Sequence, residues 1–435
     1  MRLRYRALIL GVVLAMAVIT MPRSDVEAQA RLERAVAMVV PLGDANRYWP
    51  RWRGPSGQGL AVGTGYPDRW SDTENVLWKT PVAGRGHSSP IVWADRLFLT
   101  TAYGDGRVSV LCFRRSDGKM LWEAFGPDRT REYLHPKNSQ ASATPATDGV
   151  RVYASFGTKG LLAVDFEGHI VWHQSLGTIN NYHGTAGSPL LYKDRLILFQ
   201  DHSGGPGGGA FVAAFDTRSG RTLWRTERRA TIGWSTPVAV QTGDHDEIIV
   251  SSQQRVHAYD PDTGRELWTC GGNMYEVIPT PVVGHGLVFC ASGRAGPTLA
   301  IRPGGKGDVT NTHVAWQSPR GSPFVPSPLL LGDYLYLVND MTSIATSLEA
   351  MTGKVMWQGR LGQAAREGFS ASPVAADGKI FFTNDEGDTF VVSSGSTFEL
   401  LRVNRLNAGV LASPALVDGK WYFRTDRELL AIGKP

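Results

Sequence analysis

Beyond its first thirty residues the chain alternates short apolar runs with tight polar turns, and the alternation repeats. A small hydroxyl residue before proline marks each start: Ser89-Pro90, Thr144-Pro145, Ser188-Pro189, Thr236-Pro237, Thr280-Pro281, Ser327-Pro328, Ser372-Pro373 and Ser413-Pro414. Successive prolines are 55, 44, 48, 44, 47, 45 and 41 residues apart. An apolar run follows each, usually with a turn such as Ala94-Asp95, Lys193-Asp194, Gly332-Asp333, Asp377-Gly378 or Asp418-Gly419. A second apolar run comes next, for example Lys379-Ile-Phe-Phe-Thr383. Runs of this length bounded by turn residues predict strands, and the turns predict hairpins of fixed register. No stretch past the N-terminus sustains a helical period.

The second half of each repeat is a strand, a turn and a strand ending in tryptophan. Ala258-Tyr-Asp-Pro-Asp-Thr-Gly-Arg-Glu-Leu-Trp268 is the fullest example, and variants end at Trp122, Trp172, Trp224 and Trp357. The tryptophans at 122, 172, 224, 268, 316 and 357 are 50, 52, 44, 48 and 41 residues apart. Two hairpins per repeat make four strands, which is a propeller blade, and a period of this size means a repeat architecture. The fold expected is all-β, an eight-bladed propeller of four-stranded antiparallel blades. The eighth repeat stops without its tryptophan strand, while Val76-Leu-Trp78 has no repeat before it. That N-terminal strand is expected to close the ring, which removes open sheet edges. The tryptophans are expected to dock between blades. Repeat five inserts Arg302–Asp308 before Trp316. Repeat seven has Leu401 where tryptophan is expected.

The chain of 435 residues therefore divides into a segment 1–30, an extension 31–74 and a propeller 75–435. Residues 1–30 read as an export signal: Arg2, Arg4 and Arg6, an apolar stretch Ala7–Thr20, then Ala28-Gln29-Ala30 as a cleavage site. The product is expected to be a soluble monomer in the periplasm or cell envelope, at a membrane only by association. Residues 31–47 read as a loose lead-in, and Trp49–Gly59 as an ordered extension packed on the body. Net charge is +5, and the first thirty residues hold four arginines and two acids. The remainder is too weakly and evenly basic to argue for nucleic acid. Three cysteines, Cys112, Cys270 and Cys290, make no disulfide framework; Cys270 and Cys290 either pair or are buried thiols. The loop Ser203–Gly209 lacks the lysine and the following helix of a phosphate cradle.

The Ala-x-Asp-x-x-Thr-Gly-x-x-x-Trp pattern, matched in full at Ala258–Trp268, resembles the tryptophan motif of the pyrroloquinoline quinone (PQQ) repeat propellers. The resemblance covers about residues 75–435. It implies one of two branches: periplasmic quinoprotein dehydrogenases, or non-catalytic exported propellers such as the scaffold of the outer-membrane barrel-assembly machinery. The dehydrogenases resembled hold PQQ over a tryptophan floor, usually under a Cys-Cys disulfide, with calcium and a catalytic aspartate. This chain has no Cys-Cys dipeptide and no Cys-x-x-Cys-His haem site, and is short for that branch. Scaffold-branch members typically carry a lipid-anchored cysteine, which does not follow the apolar run here.

The long, polar loops fall between blades and between second and third strands, so function is expected on that face. The inter-blade loops carry Arg85-Gly-His87, His135-Pro-Lys-Asn138, Asn181-Tyr-His183, Trp234, Tyr275-Glu276 and Arg366-Glu-Gly-Phe369. The strand two–three loops carry Asp201-His202, Arg294, Asn339-Asp340 and Asn384-Asp385-Glu386. Asp201, His202, Asp340, Asp385 and Glu386 are either solvated turn residues or ligands for calcium. His87 and His183 precede their Ser-Pro anchors equivalently, and are either structural or directed into the central channel. No nucleophile–base pair or zinc spacing appears. The expected function is a non-catalytic binding or assembly scaffold taking a protein partner or small ligand. The alternatives are a dehydrogenase needing PQQ and calcium, and a glycan-binding propeller using Trp234, Tyr275 and Phe369.

Overall fold

Each hydroxyl-proline repeat folds into one antiparallel sheet, and eight such sheets surround a common axis. The computed structural model describes residues 36–41, 43–203, 209–229, 232–243, 245–363 and 368–434. The export signal, Gly204–Gly208 of the glycine-rich loop, Arg366 and Glu367 lie outside the described residues. Blades 1 to 7 span residues 91–125, 146–174, 190–227, 238–271, 282–318, 329–360 and 374–405. Blade 8 takes three strands from 415–432 and its outermost from Val76–Pro81, which pairs antiparallel with Glu428–Ile432, Trp78 opposite Ala431. The N-terminal strand thus closes the ring as its pattern predicts.

The recurring Ser/Thr-Pro has a physical cause. Each hydroxyl accepts a hydrogen bond from the backbone N–H of the same position one blade earlier. Ser89 donates to Thr144 (2.9 Å), Thr144 to Ser188 (2.9 Å), Ser188 to Thr236 (3.1 Å) and Thr236 to Thr280 (3.4 Å). Thr280 donates to Ser327 (2.9 Å), Ser327 to Ser372 (2.9 Å) and Ser372 to Ser413 (2.8 Å). Proline follows because the first residue of an innermost strand needs no N–H. The chain of hydroxyls breaks at the seam between blades 8 and 1, where the buried Ser89 Oγ has no partner among the described residues. There Arg424 of blade 8 reaches across instead, donating to Ser88 Oγ (2.8 Å) and the Thr100 carbonyl (2.6 Å) of blade 1.

The tryptophans bridge blades in a second ring. The indole N–H of Trp78, Trp122, Trp172, Trp224, Trp316 and Trp357 donates to the carbonyl of Arg115, Phe166, Thr217, Pro261, Ala350 and Gly395 at 2.8–3.1 Å. Each of these acceptors lies in the outer turn of the next blade. Two exceptions follow from the two sequence irregularities. The insertion in blade 5 replaces the turn that would receive Trp268. Its strand Gly307–Asp308 lies parallel beside Glu266–Gly271, with Gly307 opposite Trp268. Trp268 is wholly buried and donates to Glu247 Oε2 of its own blade (2.9 Å). In blade 7, Arg402 and not Leu401 occupies the tryptophan position: it pairs with Val391 just before the bulge, as Trp224 does with Ala214. The missing ring is replaced by Trp70 of the extension, buried against Phe381 of blade 7 and Trp421 and Phe423 of blade 8.

The described part of the lead-in expected to be loose is built into the fold. Val36–Met38 pairs antiparallel with Val238–Thr242, the innermost strand of blade 4. Trp49 bridges Val92 of blade 1, Trp52 Nε1 donates to Thr280 Oγ1 beside blade 5 (3.1 Å), and Leu60 bridges Ala375 of blade 7. A segment that touches the innermost strands on opposite sides of the ring occupies the central channel. Val36 lies opposite Thr242, next to a short outer-face turn, and Gly65 and Tyr66 bond Asp377 in another. The segment therefore enters and leaves by the short-turn face, with Trp52 between. Arg51 and Arg53 are buried within it and, among the described residues, donate to the carbonyls of Val39, Pro55, Gln58 and Pro373.

Candidate functional site

With the channel filled from one side, a cavity of about 320 Å³ remains on the loop-rich side. Trp52 lies at its base. The anchor hydroxyls Thr144, Ser188, Thr236, Thr280, Ser327, Ser372 and Ser413 line its wall. The same hydroxyls that join the blades thus give the channel its polar lining. His87, His135, Lys137, Asn138, His183, Trp234, Arg294 and Phe324 face it as well. His87, Asn138, His183, Trp234 and Arg294 were legible as loop residues. Trp52 was not, because it comes from an extension with no repeat to place it.

The rim is braced by side chains from several blades. His183 stacks on Trp234 (centroids 5.7 Å, 27°) and meets His135 edge-on at 4.8 Å. The Trp234 indole donates to the Gly184 carbonyl (2.7 Å). Asn138 ties two loops together, donating to the His183 carbonyl (2.7 Å) and accepting from Ser142 Oγ (2.5 Å). Glu276 accepts from Tyr182 and pairs with Arg294, and His183 Nε2 lies 3.8 Å from it. Burial alone would raise the Glu276 carboxyl, but its bonds to Arg294 and Tyr182 outweigh that and hold it low. The Arg294 guanidinium lies 4.8 Å from the Phe324 ring centre. His87 is pushed down to about 3 by burial, with Arg424, Arg85 and Lys137 adding to the effect, so it stays neutral at physiological pH.

The carboxylates do not gather. Asp201 is buried away from the cavity, its Oδ1 2.9 Å from Arg228 Nε and its Oδ2 accepting from Ser252. His202 is buried beside it, and burial lowers its pKa. Asp385 Oδ2 pairs with Lys137 Nζ at 2.7 Å. Asp340 accepts from the Phe324 N–H (2.7 Å), while its Oδ2 is buried without a partner among the described residues. Among the described residues no three His, Cys, Asp or Glu side chains come together to hold a metal ion. The three cysteines are buried free thiols, and Cys270 and Cys290 are not joined. Burial pushes Cys270 up to about 11. A tryptophan does lie at the base of the cavity, as a PQQ site would need. Among the described residues there are neither paired thiols nor a cation-binding cluster of carboxylates, so these residues do not fit PQQ with calcium. The expectation of three exposed aromatics for a glycan also fails. Tyr275 is exposed, Trp234 is buried in the rim, and Phe369 packs in the blade 7 core against Phe390.

Asp340 gives a pH signature. Burial raises its carboxyl to about 6, above the roughly 3.9 of an unfolded aspartate. The native state then binds the proton more tightly, so its stability falls as pH rises from about 4 to about 6. Asp340→Asn should gain on the wild type over that window, by on the order of 1–3 kcal/mol at pH 7 relative to pH 4. Thermal melts at the two pH values test this, and an equal difference at both would contradict it.

Comparison with solved structures agrees on the architecture. BamB from Moraxella catarrhalis is 16% identical with a TM-score of 0.59, covering 82% of this chain and 98% of that one. The computationally designed Ika8 protein is 11% identical, TM-score 0.59, covering 82% and 99%. A europium-containing methanol dehydrogenase is 12% identical, TM-score 0.51, covering 93% and 91%. At such identities these likenesses establish the fold alone. No curated protein sequence matches the chain significantly. A family profile does, over residues 54–270 and 341–433, which takes in Gly54 of the channel segment and most of the blades. The chain belongs to the family described as outer membrane protein assembly factor BamB.

Proposed function

We propose that the protein is an exported scaffold of the cell envelope that binds a protein partner on its loop-rich face and serves outer-membrane protein assembly without catalysing a reaction. The observation that carries this reading is the braced patch around Glu276. Tyr182, Met274 and Tyr275 are exposed there, with Arg294 partly exposed beside them. Exposed aromatic, methionine and arginine side chains are what the energetic centre of a protein interface needs, and Glu276 holds Tyr182 and Arg294 in place. Fixing them beforehand reduces the ordering cost of binding. Among the described residues no helix is long and apolar enough to cross a membrane. The test is complementation. Loss of the protein should lower the folded outer-membrane β-barrels of its cell, and the wild type should restore them. Tyr275→Ala with Arg294→Ala should restore them poorly at normal envelope levels. Barrels indifferent to loss of the protein, or full rescue by the double variant, would contradict the proposal.

The dehydrogenase reading rests on Trp52 at the base of the cavity. PQQ chemistry needs the cofactor held, oriented and shielded by its protein. Asp201 is committed to Arg228 and Asp385 to Lys137. Purified protein given PQQ and calcium is expected to reduce dye with simple alcohols no faster than a blank. Turnover lost on changing Asp201, Asp340 or Asp385 to alanine would overturn this and establish the enzyme.

A further inference from the structure

A second cavity, of about 450 Å³, lies at the seam where blade 8 meets blade 1. It is lined by Arg85 and His87 from the loop entering blade 1, Asp385 and Gly409 from blade 7 loops, and Arg424 and Asp426 from blade 8. Its unusual member is Arg424. This guanidinium is buried, yet among the described residues no carboxylate pairs with it; its two hydrogen bonds, to Ser88 and Thr100, both leave from Nη1. Gly86 makes room for it, since a Cβ there would lie 2.4 Å from Arg424 Nη2. Arg85 also lacks a carboxylate among the described residues, donating only to the Pro136 carbonyl. Of the two acids of the lining, Asp385 pairs through Oδ2 with Lys137 at 2.7 Å while its Oδ1 is buried with no hydrogen-bond partner among the described residues, and Asp426 pairs at the surface with Arg427 at 3.5 Å. Arg424 and Arg85 thus line one cavity, and among the described residues neither pairs with a carboxylate.

A buried charge without a partner is costly, and the fold tolerates it best where a ligand supplies the opposite charge. Guanidinium suits oxyanions because its planar fork matches carboxylate and phosphate oxygens. We propose that the seam cavity binds a small oxyanion, either phosphate or the carboxylate of an organic acid, between Arg424 and Arg85. The pKa of His87 is lowered first by burial, and the smaller contributions of Arg424 and Arg85 accord with a positive potential at this spot. The cavity adjoins the central one through His87 and Leu411 but does not include the Glu276 patch, so this site and the partner surface stand or fall separately.

The test is calorimetric titration of the full-length protein, dialysed into a zwitterionic buffer of low ionic strength, with inorganic phosphate in one arm and citrate in another. Saturable binding at one site per chain is expected in at least one arm, weakened by added sodium chloride. The arm that binds identifies the class of anion. Arg85→Met should weaken it by about tenfold or more, the usual effect of removing one charged hydrogen-bond partner. Arg424→Lys, which keeps the charge and can still reach Ser88, should weaken it comparably by losing the fork. If Arg424→Lys fails to fold by circular dichroism, the Arg85→Met titration decides alone. Absence of binding in both arms, or binding unchanged in Arg85→Met, would overturn the proposal.

Discussion

Deleting residues 31–80 is expected to abolish the folded monomer. The deletion removes nearly all of Val76–Pro81, so the Glu428–Ile432 strand becomes an open edge. It takes Trp78 off the blade 1 turn, Trp70 from between blades 7 and 8, and Trp49 from the channel. Each tryptophan buries roughly 150–250 Å², worth about 4–6 kcal/mol as an upper figure. Three together match or exceed the roughly 5–15 kcal/mol by which a domain is stable. An open, apolar edge also invites association. The truncated chain should be insoluble or aggregated, with no cooperative melt. A monomer with unchanged melting temperature would contradict ring closure and channel filling together.

The next largest effect is expected from one methyl group. Gly264, in the Asp262-Thr263-Gly264 turn of blade 4, has φ +72°, and a Cβ there would lie 2.3 Å from Trp224 Cε3. Trp224 cannot retreat, because its indole donates to the Pro261 carbonyl in the same turn. Gly264→Ala should therefore cost on the order of 2–4 kcal/mol, the left-handed backbone term plus overpacking. Gly332 is the natural control. Its φ is +58°, and a Cβ there would meet nothing within 4 Å. Gly332→Ala should cost only the backbone term, about 1–2 kcal/mol. Denaturant melts giving equal losses for the two variants would mean that tryptophan docking does not brace the blades.

The blades were legible because they recur. A single Ser-Pro or Trp says little, but eight anchors in phase specify where each innermost strand begins, and the structure adds that their hydroxyls link blade to blade. Ring closure was legible as a missing strand and a spare one. The channel segment was not. It occurs once, and its partners are mostly backbone edges and carbonyls on blades 1, 4 and 7, with the Thr280 hydroxyl beside blade 5, so its own sequence shows little of where it docks. Repeat seven was misplaced by one residue, because the bulge beside the turn shifts register and puts Arg402 where counting puts Leu401. At the site, His87, Asn138, His183, Trp234 and Arg294, read from loop position, line the cavity. Loop position could not separate Asp201, consumed by Arg228, from a carboxylate open to a ligand. Nor could it show that Phe369 turns inward, since an aromatic ring beside a glycine suits either environment.

The loop-rich face as partner surface is tested most directly by photo-crosslinking in living cells. A benzophenone amino acid replaces Tyr275 on that face, or Met351 in an exposed turn of the opposite face. The position 275 probe should give a discrete adduct, identified by mass spectrometry as a component of the outer-membrane assembly apparatus and reduced by Arg294→Ala, while position 351 gives none. Adducts only from position 351, or no adduct from 275 in folded, exported protein, would contradict it.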